Sequence, residues 1–177
     1  MTVLATGFLV ASAAVSALQQ ALDAAADWTM ERRFPGSSRV LASAGEVRCE
    51  KGKGIVWKVL MPFVSSVSMT PTAMIFEDED GRREKSLDDL PHYEAVREAT
   101  DAFAAGKTEA FDGLFEVAET PVGTNGWRLV LRPEVSAMKR LFVEIELTGN
   151  VLPTNAVLRT ADGGVTSIRF KELPHVR

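Results

Sequence analysis

From Gly113 to Leu173 the chain is an almost unbroken series of short alternating runs, and this constrains its fold more than any other feature. Five runs, Gly113 to Thr120, Gly126 to Arg132, Lys139 to Thr148, Thr154 to Thr160 and Val165 to Leu173, place apolar and polar side chains on opposite sides. Trp127, Leu129 and Leu131 share one face, and Leu141, Val143, Ile145 and Leu147 share another, opposite Glu144 and Glu146. The connections Pro121 to Asn125, Pro133 to Ser136, Gly149 to Pro153 and Ala161 to Gly164 are too short for crossovers, so neighbouring strands run antiparallel. Asp162-Gly163-Gly164 is a hairpin turn by composition.

The first half repeats the pattern less strictly. Val40 to Cys49 and Ile55 to Met61 read as strands around the Lys51-Gly-Lys-Gly54 turn, with Ile55, Trp57, Val59 and Met61 on one side. Val64 to Met69, Ala73 to Phe76 and Arg82 to Ser86 read as further strands, separated by Thr70-Pro71-Thr72 and by the acidic stretch Glu77 to Gly81. Two helices are expected. Leu18, Ala21, Leu22, Ala25 and Trp28 follow helical spacing, and Leu87-Asp88-Asp89 opens a helix that runs to Ala105 and stops at Gly106. The fold class is therefore α+β, mostly antiparallel β: a long meander whose apolar face the helices cover.

At 177 residues there is room for one domain with a sizeable core. Val3 to Val15 is an apolar run too short to span a bilayer, and Val15-Ser16-Ala17 has the small-x-small form of a leader-peptidase site. Residues 1–17 read as a signal peptide ahead of a single domain over 18–177, although no Lys or Arg precedes the apolar run; the alternative is one Ala-rich helix of the mature fold. A net charge of −4, with basic pairs diluted by acids, points away from nucleic acid.

Candidate chemistry is sparse. His92 and His175 lie in different elements without a second ligand at metal spacing, so no metal and no cofactor is expected. Cys49 lacks a nearby base and reads as a small buried hydrophobe. Gly52-Lys53-Gly54 lacks the Ser or Thr and the helix of a phosphate loop, and the acidic run at 77–80 lacks the rest of a calcium loop. Glu144 and Glu146 sit on the polar side of a strand and need no catalytic role. Met61, Phe63, Met69 and Met74 gather around the first hairpins, where they either fill a core or line a cavity.

The opening hairpin, SAGEVRCEKGKGIVWKVLMPF at 43–63, gives these residues a context. A first helix running into a strand (Trp28 to Phe34), then Gly45, Val47, the Lys51 to Gly54 turn, Ile55 and Trp57, Pro62 and Thr70, resembles the periplasmic outer-membrane lipoprotein carriers, the LolA-like family. The following helix and the strand-only ending extend the resemblance over about residues 18–173, with the ordered set rather than any one motif carrying it. The resemblance implies an incomplete, strongly curved antiparallel β-barrel closed by helices around an apolar cavity for lipoprotein acyl chains. It further implies a monomeric, periplasmic, non-enzymatic carrier or chaperone that receives cargo from an inner-membrane donor and passes it to an outer-membrane acceptor. By resemblance the cavity role falls to Trp57, Val59, Met61, Phe63, Met69, Met74, Trp127 and Leu129. A latch arginine of the carriers falls near Lys51, which lacks the planar fork, and the chain ends soon after its last strand. The alternative is a lipid-sensing or protein-docking regulator on the same fold.

Overall fold

Alternating side chains give a strand two unlike faces, and an antiparallel ladder keeps those faces aligned from strand to strand. The computed structural model describes residues 25–50, 54–70, 72–86, 113–150 and 152–172. They form one eleven-stranded antiparallel sheet. Its strands are β1 (Ala25–Arg33), β2 (Val40–Glu50), β3 (Gly54–Met61), β4 (Ser65–Met69), β5 (Ala73–Asp78), β6 (Gly81–Ser86), β7 (Phe115–Val122), β8 (Gly126–Pro133), β9 (Phe142–Gly149), β10 (Pro153–Thr160) and β11 (Val165–Glu172). The spatial order is β6-β5-β4-β3-β2-β1-β11-β10-β9-β8-β7, so the sheet is open, with β6 and β7 as its edges.

The five strands of the last third are present, though the one expected over Lys139 to Thr148 begins only at Phe142. Leu141 and Val143, expected on the face of Ile145 and Leu147, are exposed beside a register shift between Arg159 and Thr160. The Asp162 turn closes β10 to β11. There Gly163 N–H donates to Thr160 O at 3.0 Å, and Asp162 Oδ1 accepts from Gly164 N–H at 3.0 Å.

Two expectations change. The helix expected over Leu18 to Trp28 is strand from Ala25 onward, and its earlier residues lie outside those described. Trp28, Met30 and Arg32 are more buried than Asp27, Thr29, Glu31 and Arg33, a period of two that the alanines before Trp28 obscure in the sequence. β1 is a central strand, paired along its length with β2 and β11, and those ladders override local helical spacing. Covering helices are also not seen among the described residues, whose one helix is α1 (Ser136–Lys139) in the β8–β9 connection. No described helix is long and apolar enough to cross a membrane. The expected helix over 87–105 and the expected leader over 1–17 lie outside the described residues.

The two faces divide the chemistry. One carries cross-strand ion pairs on β7 to β10: Arg128 grips Glu146 with two bonds of 2.8 and 2.9 Å, and Glu144 receives Arg132 at 3.0 Å and Arg159 at 3.6 Å. These accepted bonds hold the Glu146 carboxyl below its ordinary pKa, the Arg128 hydrogen bond first among the causes. The other face is apolar and holds two buried clusters. Leu114, Phe115, Trp127, Leu129, Leu131 and Met138 form one; Trp28, Ala156 and Ile168 centre the second. Leu147 packs against both and joins them.

Gly45 makes the second cluster possible. It lies between Trp28 on β1 and Val59 on β3, and a Cβ built there would meet the Lys58 carbonyl oxygen and Trp28 Cζ2, the latter at 2.8 Å. Backbone cannot retreat as a flexible side chain can. Gly45→Val is therefore expected to cost at least about 2 kcal/mol, read as a lowered urea midpoint; an unchanged midpoint would show that the indole has room to move.

Candidate functional site

The apolar face is the candidate site, and its centre is aromatic. Trp28 is 2 % exposed and stacks on Trp57 with ring centroids 4.8 Å apart and planes 27° apart. Phe170, opposite Trp28 across the β1–β11 ladder, meets Trp57 edge-on at 6.1 Å. Stacked and edge-on pairs of this kind each contribute about 0.5–1.5 kcal/mol beyond the area they bury. Met30, Val47, Val59 and Leu158 pack around them, only partly buried.

The residues named from the sequence fall into three groups. Trp57 and Val59 belong to this aromatic cluster, and Met69 and Met74 continue the same face: Ile55 faces Met69 across β3–β4, and Met69 faces Met74 across β4–β5. Trp127 and Leu129 lie in the other cluster at 2 % and 3 % exposure. Met61 and Phe63 lie elsewhere. A register shift between Ala44 and Gly45 sets Met61 opposite Ala44, so Met61 turns to the polar face. There it borders a shallow depression of about 300 Å³ with Thr29, Glu31, Ala42 and Arg169. Phe63 sits in the β3–β4 turn and is 75 % exposed; with Val64 it forms one lip of an open cleft whose other lip is Glu77 to Asp80. Lys51 lies outside the described residues.

The sequence reading missed Trp28, assigned there to a helix end, and Gly45 as the floor beneath it. The alternation of Trp28 with Met30 and Arg32 was the available signal. It also passed over two polar atoms. Trp28 Nε1 and Glu119 Oε1 are buried without a hydrogen-bond partner among the described residues, whereas Trp127 Nε1 donates to Asn150 O at 2.5 Å. A buried donor left unmade costs about 1–3 kcal/mol, which makes Trp28 an energetic exception within its apolar cluster. Among the described residues no group of three or more His, Cys, Asp or Glu side chains is placed to hold a metal ion. His92 and His175 lie outside the described residues.

Glu119 faces Leu129 across the β7–β8 ladder, and desolvation pushes its carboxyl above the ordinary value of 4.5. The folded chain then holds a proton that the unfolded chain has already released, so this group's contribution to stability falls as pH rises from 4.5 through the raised value. Glu119→Gln removes that dependence. The variant is expected to gain stability over the wild-type chain at about pH 7 and to lose the gain at about pH 4, measured by urea denaturation at both. A pH-independent difference would take Glu119 out of this account.

No protein-family model matches the sequence, and no curated protein matches it either. Solved structures of similar fold do exist. One is a LolA superfamily protein, NE2245, from Nitrosomonas europaea, with 9 % identity over 93 % of this chain and 94 % of that one, TM-score 0.46. A second is MucB, 12 % identical over 94 % of this chain and 60 % of that one, TM-score 0.47, so this chain spans less than two thirds of MucB. A third is an outer membrane lipoprotein-sorting protein domain from Vibrio parahaemolyticus, 9 % identical over 93 % of each chain, TM-score 0.40.

Proposed function

We propose that this chain is a non-enzymatic binding protein that carries or shields the acyl chains of a lipid or lipoprotein on its apolar face, working in the periplasm towards the outer membrane. One observation carries the reading. The apolar face runs across the sheet, yet outside its two small buried clusters it is only partly covered: Met30, Val47, Trp57, Val59 and Phe170 remain half-buried, and Val117, opposite Leu131, is exposed. An extended hydrocarbon chain laid on such a face removes apolar surface from water on both partners. Each methylene buried contributes about 0.8 kcal/mol, so a chain of ten supplies about 8 kcal/mol before the cost of immobilising it. Half-covered aromatic and methionine side chains suit a guest without fixed shape. The distant fold likenesses agree with this reading but bear none of its weight, and the periplasmic location draws on the leader pattern at residues 1–17.

A second reading has its own observation. Phe63 and Val64 stand 75 % and 64 % exposed in the β3–β4 turn, away from the apolar face, where an apolar edge would serve a protein-docking regulator.

Titration with a fluorescent fatty acid tests the first reading directly. Saturable binding is expected, and Trp57→Asp should weaken it at least about tenfold by placing a charge in the aromatic cluster, while far-UV circular dichroism keeps the β signal of a weakened fold. Binding by the wild-type chain that Trp57→Asp leaves unchanged would move the guest off this cluster. No binding at all, with an intact fold, would hand the function to the docking reading.

A further inference from the structure

The aromatic cluster contains a hydrogen-bond donor without an acceptor among the described residues. Trp28 is 2 % exposed and its Nε1 is unpartnered, although buried indole N–H groups ordinarily find an acceptor, as Trp127 does at Asn150. Among the described residues, the apolar side chains packed with it offer no substitute. Trp57, Phe170, Ala156, Ile168, Val47 and Val59 carry no side-chain oxygen, and the glycine beneath the ring contributes no side chain at all. The backbone N–H and C=O groups beside Trp28 are engaged in its ladders with β2 and β11. No acceptor is supplied among the described residues, and a guest that displaces the ring stacked over this N–H would bring one if its oxygen is joined to an apolar body.

We propose that Trp28 Nε1 anchors the polar end of that guest, so that the face selects chains bearing a carbonyl or carboxylate oxygen, acyl esters or fatty acids, over plain hydrocarbon. This rests on the apolar-guest reading above and adds to it a chemical preference with an address. A hydrocarbon gains only from burial. An acyl guest gains from burial and also satisfies the donor that the described residues leave unmade, so the two differ by one buried hydrogen bond. Such an asymmetry is how an otherwise greasy surface acquires discrimination, because a site built around a polar partner rejects the analogue that lacks it.

The test uses the full chain, wild-type and Trp28→Phe, which keeps an aromatic ring and deletes the N–H. Displacement of the uncharged probe N-phenyl-1-naphthylamine reports binding of methyl decanoate, of decanoate and of undecane. Trp28→Phe is expected to weaken methyl decanoate, decanoate or both about tenfold while leaving undecane within about twofold. A loss confined to the ester names an ester carbonyl as the acceptor, and one confined to the acid names a carboxylate. Equal losses for all three guests, or no loss for any, would overturn the anchor while leaving the apolar-guest reading standing. Failure of the wild-type chain to bind any of them would overturn both. Should Trp28→Phe not fold, the wild-type protein labelled with nitrogen-15 at its indoles decides the matter. Methyl decanoate or decanoate, but not undecane, should shift the Trp28 Nε1–H resonance downfield, and a shift indifferent to the guest would sink the proposal.

Discussion

A missing side chain at residue 45 is the constraint on which the rest of this molecule depends. The Trp28 ring rests against Gly45, whose α-carbon faces the Lys58 carbonyl so closely that no β-carbon fits. With the ring lying low on the sheet, Trp57 can stack on it and Phe170 can reach Trp57 edge-on. The adjoining register shift between Ala44 and Gly45 decides which face Met61 takes. The packing of the aromatic cluster thus depends on one glycine.

The polar face performs a different task. Arg128, Arg132 and Arg159 bridge carboxylates across β8, β9 and β10, and Glu144 serves two of them at once. Pairs whose arginines stand half in solvent add little stability singly. Their value here is directional: shifting a strand by one residue would carry charged side chains to the apolar face, so the ladder penalises every wrong register. The stretch of the apolar face around Trp28, Trp57 and Phe170 is left to apolar side chains and remains suited to a guest.

Much of this was legible in the sequence. From Val165 to Leu173 and from Gly126 to Arg132, alternation and turn residues specified strands, faces and antiparallel neighbours, because those strands depend on little beyond their own pattern. Trp28 was not legible as a strand residue, because an alanine-rich approach satisfies helical spacing while the decision belongs to β2 and β11. Met61 was assigned to the face of Trp57 and Val59 by strict alternation, which a backbone bulge interrupts without any signature in composition. The orphaned Trp28 N–H was invisible for a further reason: an unmet hydrogen bond is a property of surroundings, and a sequence lists only groups.

The strand order has a consequence for how the molecule comes together. Every described ladder joins strands consecutive in the chain except β1 with β11, so the sheet consists of two locally wound ribbons, β1 to β6 and β7 to β11, meeting along a single eight-pair seam. The entropy of closing a long loop is concentrated there, and the remaining pairings are short-range. Trp28 stands on one side of that seam and Phe170 on the other. Whatever occupies the aromatic cluster therefore bridges the two ribbons, and its binding energy is added to the free energy that keeps the halves of the sheet together.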